Sequence, residues 1–317
     1  MGLKHKIKID MKYLAIILSL AVSTLATETS AQDYLFRVLA NKGSNQVQKA
    51  SSGPTQLKTG SKLYSGDQII ASNGAYIGLV YRTGKTIEIR TAGTHKVDDL
   101  VAKVSKGSAG AGGRYMNFVM NKMNESDGDV NRNYRRNLNA TGAVERATGF
   151  ALSLLLKDAK TPNKVYGDVA TIRWEGGEDN DSYKIVVKNA FSEVLYETES
   201  NTNKVDIDFT IDELKKEKFL IVGVESASNN AVKSKDYPIQ RLNPAEASKL
   251  QASISELEQD MAEGSAMNNL VYASFFEENK LFLDALTSYE SAVEANPEIE
   301  DFQAIYDQFV AENGLGN

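Results

Sequence analysis

The sequence predicts a multidomain chain in which an all-β segment and a β-sandwich are followed by an α-helical region. Three observations carry that prediction. From Asp33 to about Asp98, short β-branched and aromatic runs are punctuated by Gly60, Gly66, Gly74, Gly84 and Gly93, the mark of strands joined by tight turns. From about Val165 to Leu242 apolar and polar residues again alternate with period two, and past Pro244 the period becomes that of a helix. At 317 residues the chain has material for two or three domains. With 42% hydrophobic residues, 25% charged residues and five prolines, bulk disorder, collagen and a polytopic membrane protein are excluded.

Residues 1–31 read as an export signal. Lys4, Lys6, Lys8 and Lys12 form a positive end, Tyr13 to Val22 an apolar stretch, and Thr29, Ser30 and Ala31 the small residues before a cut ahead of Gln32. Met11 is an alternative start, because Met11 to Ala31 is a complete signal by itself. The apolar stretch falls short of the about 20 residues of a membrane-crossing helix, and no later segment approaches that length, so no membrane span is expected in the mature chain. The chain has no cysteine. Disulfides, cysteine nucleophiles, iron–sulfur clusters, cysteine-ligated zinc and a lipoprotein anchor are thereby excluded. Cleavage removes four lysines and two acids from a formal charge of −6 and leaves −8, a poor balance for nucleic-acid binding. The expected location is the bacterial periplasm or the cell surface.

Residues 33–100 read as a small all-β domain. YLFRVLA (Tyr34 to Ala40), QIIA (Gln68 to Ala71), AYIGLVY (Ala75 to Tyr81) and TIEI (Thr86 to Ile89) are its strands, with Ile77, Leu79 and Tyr81 on one face. Between the first two lie Leu57, Gly60, Leu63, Gly66 and Asp67, the spacing L-x-x-G-x-x-L-x-x-G-D. The leucines anchor a winding segment to the core, and Gly66-Asp67 suits a turn with positive φ whose Asp bonds back to the backbone. From about Phe36 to Val97 the segment resembles the periplasmic FecR-like domain. That resemblance implies a structural β domain without catalytic residues. The membrane helix and cytoplasmic segment of signalling members have no counterpart in this sequence.

Residues 101–162 form a connector. KGSAGAGG (Lys106 to Gly113) is small and flexible in composition, and RYMNFVMNKM (Arg114 to Met123) has helical spacing at Tyr115, Phe118, Val119 and Met123. Ten Lys/Arg against five Asp/Glu between Leu100 and Lys160 make the connector +5, a solvated face or a patch for an acidic partner. Asp127, Asp129 and Asn131 suggest a calcium loop, but Arg132 and Leu138 stand where an EF-hand needs Gly and Glu.

Residues 163–243 read as a β-sandwich. Ala170, Ile172 and Trp174 alternate with polar neighbours, as do Tyr183, Ile185 and Val187, then Val205, Ile207 and Phe209, while Phe219 to Val224 is a core run. By this pattern the segment looks like an immunoglobulin or fibronectin type III-like module. Trp174 is expected in the core rather than as a ligand platform. The acids Glu175, Glu178, Asp179 and Asp181 suit a hydrated hairpin loop better than acid–base chemistry.

Residues 244–317 carry three Lys/Arg, counted from Arg241, against fifteen Asp/Glu, a charge of −12. Leu250, Ile254, Leu257 and Met261 form a helical stripe before Gly264. Ala273, Phe276, Ala285, Tyr289, Ala292 and Pro297 then match the spacing of one tetratricopeptide-type repeat, with Asn269 where a large residue is usual. The small residues let two helices approach closely, and the aromatics fill the gap. One repeat cannot bury its face alone, so Ala245 to Met261 and Ile299 to Val310 are expected to pack on it. The resemblance implies a groove for a partner peptide, for which Phe276, Tyr289, Glu277, Glu278 and Asp284 are the candidate partner-binding residues. A small self-capped bundle is the competing reading.

For function the residues point away from catalysis. His95 is the one imidazole left after export, and no phosphate cradle, serine elbow or His–Glu metal helix occurs. No cofactor is expected. The expectation is a non-enzymatic envelope scaffold for protein or glycan partners, whose acidic tail prefers a basic surface. The FecR resemblance supplies an envelope sensor as the alternative, and carboxylate-dependent hydrolysis is a second one.

Overall fold

Eight strands between Phe36 and Lys96 pair antiparallel into two four-stranded sheets: β1 (Phe36–Lys42), β2 (Gln46–Gln48), β3 (Pro54–Gln56), β4 (Lys62–Leu63), β5 (Gln68–Ala71), β6 (Tyr76–Tyr81), β7 (Thr86–Ile89) and β8 (Gly93–Lys96). The computed structural model describes residues 33–50, 52–104, 111–126, 151–157, 160–177, 181–259, 261, 265, 267–297 and 299–316. The export signal, Asp127, Asp129, Asn131, Glu178, Asp179 and Gly264 lie outside the described residues. The sheet orders are β4-β1-β6-β7 and β3-β2-β5-β8. Phe36, Leu57, Leu63, Ile69, Ile77 and Leu79 meet between the sheets, all fully buried. Helix α1 (Val97–Val104) adds Val97 and Leu100 to this core. The turn at Gly66 has φ 85°, and the Asp67 carboxylate accepts the Tyr64 N–H at 3.0 Å, the back-bonding that the Gly-Asp pair predicts.

A second pair of sheets follows: β9 (Leu152–Leu154), β10 (Asn163–Val165), β11 (Val169–Gly176), β12 (Tyr183–Asn189), β13 (Val194–Ser200), β14 (Lys204–Asp208), β15 (Phe219–Ser226) and β16 (Tyr237–Arg241). One sheet runs β10-β16-β15-β12-β13 and the other β14-β11-β9. All pairs are antiparallel except β10 with β16. The alternating residues read from sequence fill the space between them: Ala170, Ile172, Trp174, Tyr183, Ile185 and Val187 are buried in one cluster. Trp174 is 1% exposed and stands edge-on to Tyr183 at 5.4 Å, which makes it a core residue.

The remaining helices are α2 (Ala111–Ser126), α3 (Pro244–Glu258), α4 (Met267–Glu278), α5 (Phe282–Ala295) and α6 (Glu300–Glu312). α3 begins with Pro244 in its first turn and a capping box: Asn243 accepts the N–H groups of Ala245 and Glu246, and Glu246 accepts that of Asn243. It ends at Glu258, earlier than the stripe to Met261 suggests. The link of Asn279, Lys280 and Leu281 turns α4 back on α5, and Ala273, Ala285 and Ala292 are fully buried where small residues are needed.

The helices do not stand apart from the sheets. All six residues of β6 are buried. Ile77, Leu79 and Tyr81 face the sheet core, while Tyr76 and Val80, with Leu39 and Ala40 of β1, join the core of the helices. At Gly78 an added Cβ would meet the sulfur of Met267 on α4 at 2.7 Å, so the helix seats where the strand has no side chain. On its other side the helical region reaches the second sandwich. Leu283 of α5 is buried in the sandwich core, and Thr287 accepts the Thr171 N–H at 3.0 Å, closing a stretch of β11 that the short β9 does not pair. Residues Tyr34 to Asn317 form one unit.

The spacing of α2 predicts burial of Tyr115, Phe118, Val119 and Met123. The structure buries Tyr115 and Val119, together with Met116 and Met120, and leaves Phe118 38% exposed, with Lys122 turned inward onto Glu277; the Met123 side chain lies outside the described residues.

Gly78→Val should lower stability to urea by about 1–3 kcal/mol, the cost of overpacking against Met267. Were that face of β6 open to water, the same change would be neutral or stabilising, since Val is the better strand former.

Candidate interaction site

Four of the five candidate partner-binding residues lie in the interior and are engaged within the chain. Tyr289 is fully buried and Phe276 8% exposed. Glu277 is 7% and Asp284 5% exposed. Glu278 stays at the surface, where its carboxylate meets the Arg114 guanidinium of α2 at 3.3 Å.

Glu277 is the hub of a buried polar network. Its Oε1 accepts from Lys122 Nζ at 2.8 Å and from Asn313 Nδ2 at 3.1 Å, and its Oε2 accepts the Tyr289 hydroxyl at 3.0 Å. Lys122, itself 5% exposed, also lies 2.8 Å from Glu312 of α6. Burial pushes the Tyr289 hydroxyl well above its ordinary pKa, and the neighbouring Glu277 charge adds to this, so it remains a donor. Burial would raise the Glu312 carboxyl, but hydrogen bonds from Lys122 and Gln308 bring it below its ordinary value. Around this network α2 rests against α3, α4 and α6. Tyr115 packs edge-on against Phe275 at 5.3 Å, and Met116, Val119 and Met120 enter the helical core. The connector therefore occupies the face on which a peptide groove was expected.

The other buried acids tie the helices to the second sandwich. Asp284 Oδ1 accepts the Gly167 N–H at 2.6 Å and Oδ2 the Tyr166 N–H at 3.0 Å. Burial outweighs these bonds and pushes the Asp284 carboxyl up to about 6. Glu290 lies 3.1 Å from the Arg173 guanidinium on β11. On the surface Glu246 pairs with Lys164 and Glu294 with Lys204. The acidic tail thus finds its bases inside the chain: Arg114 and Lys122 from the connector, and Lys164, Arg173 and Lys204 from the sandwich. The connector at +5 and the tail at −12 were read as separate faces for outside partners. Their opposite sign was the available signal.

Outward-facing features lie on the second sandwich. Phe191, in the β12–β13 hairpin, is 86% exposed, the most exposed of the large apolar residues among those described, and Val194 beside it is 53% exposed. The hairpin is held from within. Buried Asn189 accepts the N–H groups of Phe191 at 2.9 Å and Glu193 at 3.0 Å and donates to the Glu193 carboxylate at 2.7 Å. Ser192 takes φ 65° to complete the turn, a position where a non-glycine residue is strained. On the solvent face of the same sheet, a shallow cleft of about 360 Å³ opens over Gly223, between Lys188, Glu225, Lys233 and Asp236. Lys188 and Asp236 neutralise each other across it at 3.1 Å. Glu175 is raised by burial, whereas Asp181 is lowered by its hydrogen bond from Ser226. Among the described residues no group of three His, Asp or Glu side chains is placed to hold a metal ion, and no helix is long and apolar enough to cross a membrane.

Comparison with protein-family models and with curated proteins returns no match to this chain.

Lys122→Met should cost about 3–5 kcal/mol in urea unfolding, because Glu277 is left as an uncompensated buried charge, and Lys122→Met with Glu277→Met should restore most of it. Asp284 titrates higher in the folded chain (about 6) than its ordinary 3.8. Its contribution to stability is present below pH 3.8 and is lost as pH rises through 6. Asp284→Asn should flatten the stability profile between pH 4 and 6.5; an unchanged slope would show that Asp284 does not titrate there.

Proposed function

We propose that the chain is an exported, non-enzymatic protein of the cell envelope that binds a protein partner through the tip of its second sandwich. The supporting observation is Phe191, a large aromatic side chain held in water on a hairpin whose backbone is fixed by Asn189. An exposed aromatic on a rigid support loses little conformational entropy on docking and gains a large apolar contact. The order of charged, apolar and small zones in residues 1–31 supports export.

Several features support the family readings. The L-x-x-G-x-x-L-x-x-G-D segment, with Leu57 and Leu63 buried and Gly66-Asp67 in a turn, favours a FecR-like N-terminal domain. The strand order β14-β11-β9 against β13-β12-β15-β16-β10, in which consecutive strands β9 and β10 belong to opposite sheets, favours an immunoglobulin or fibronectin type III-like module. The α4–α5 hairpin, with small residues at its crossing, favours a tetratricopeptide-type unit. Support for a binding role over catalysis comes from Glu277, Asp284 and Glu290, each engaged by a structural partner in the same chain.

A photo-crosslinking amino acid in place of Phe191, in cells expressing the full chain, should give discrete adducts. The same group at exposed Gln56 on β3 should not. Adducts at neither position, or equally at both, would overturn the hairpin as the docking point.

A further inference from the structure

Helix α2 is a poor helix by its own sequence. Behind Ala111 it carries Gly112 and Gly113, and further along Asn117, Asn121 and Asn124, five residues of low helix propensity. Its first turn holds no acid and its last turn no base. Arg114 and Glu125 sit instead at the ends where the helix dipole disfavours them. A sixteen-residue segment of this composition is not helical alone in water. It is therefore the surrounding groove that folds it. Tyr115, Met116, Val119 and Met120 supply the apolar face, at relative positions 0, 1, 4 and 5. Lys122, two positions further, descends between Glu277 and Glu312, and Arg114 meets Glu278 at the rim. The sequence before it reads KGSAG (Lys106 to Gly110) and after it DGDVNRNYRRNLN (Asp127 to Asn139), neither with an apolar stripe of its own.

We infer that the groove formed by α3, α4 and α6 is a receptor site for a basic amphipathic helix, that α2 is its resident occupant, and that a helix of a partner protein with the same chemistry takes the place of α2. Charge complementarity identifies the class of partner. With α2 withdrawn, the groove presents apolar walls and the carboxylates of Glu277, Glu278 and Glu312, and an entering helix must bring a cation to the level of Lys122. A helix with an aromatic or methionine face and a lysine seven positions after its first anchor fits. The inference rests on the reading that this chain binds proteins, but uses a different surface from the Phe191 hairpin.

Hydrogen exchange on the intact chain tests it. The amides of α2 should exchange at least about 100-fold faster than those of α4, through an opening smaller than global unfolding. A labelled peptide with the sequence of residues 111–126 should bind the full chain saturably. It should also speed exchange in α2 while α4 and α6 keep their protection. In the chain variant Met116→Asp/Met120→Asp, which weakens the resident helix, binding should tighten at least about tenfold, because the peptide no longer competes with a tethered rival. A peptide carrying Lys122→Glu should lose that affinity. Protection of α2 equal to that of α4 in the unmodified chain, or no saturable binding of the peptide, overturns the inference. If adducts at position 191 still form in that case, the wider binding role stands; if both fail, it falls as well.

Discussion

Helix α4 is apolar or buried around most of its circumference: eight of its twelve residues, from Met267 to Glu277, are buried. A helix of that kind needs cover over most of its surface, and the rest of the fold supplies it. β6 meets it at Gly78, α5 lies along it, and α2 covers a further side. The two β parts are therefore joined through the helices, which share buried residues with each of them: Tyr76 and Val80 on one side, Leu283 on the other.

Burial on that scale takes carboxylates inside, and a buried charge is tolerated only when paired and hydrogen-bonded. Glu277 and Glu290 meet this condition by pairing with Lys122 of α2 and Arg173 of β11, while Asp284 is held by the backbone N–H groups of Tyr166 and Gly167 in the loop before β11, which offset its burial only in part. Such contacts add little net stability compared with apolar packing, but an arrangement that separates them leaves a charge unpaired. They fix how the segments sit, and they consume surface that a free tetratricopeptide-type groove would offer. The second sandwich keeps an outward tip that carries Phe191.

Eight of the sixteen strands, β1, β5, β6, β7, β11, β12, β14 and β15, were legible as alternating or continuous apolar runs, whereas the others are short or largely exposed and carry no such pattern. Turn glycines at positions 60, 66, 74, 84 and 93 were legible because all five adopt positive φ. The spacing of Ala273, Ala285, Tyr289 and Ala292 gave the helical hairpin. What also escaped was whatever depends on a second buried face. The run AYIGLVY assigned Ile77, Leu79 and Tyr81 to a core, yet Tyr76 and Val80, at the alternate positions, are also large and apolar and marked the opposite face as covered. In α2, spacing favoured Phe118, because apolar periodicity carries no information about an ion pair; Lys122 decides the rotation. The candidate residues Glu277 and Asp284 were chosen for charge on a presumed open groove, and no local pattern reveals that a segment about 150 residues earlier fills it.

The dependence of both β parts on the helices is tested most directly by equilibrium unfolding in urea followed with two probes at once. Trp174 is the only tryptophan and sits in the second sandwich, so its fluorescence reports that part alone, while circular dichroism at the helical minimum reports the helices. Superimposable transitions with one midpoint are expected. Loss of the helical signal at lower urea, with Trp174 still in its native environment, would show that the helices are an appendage and contradict this account.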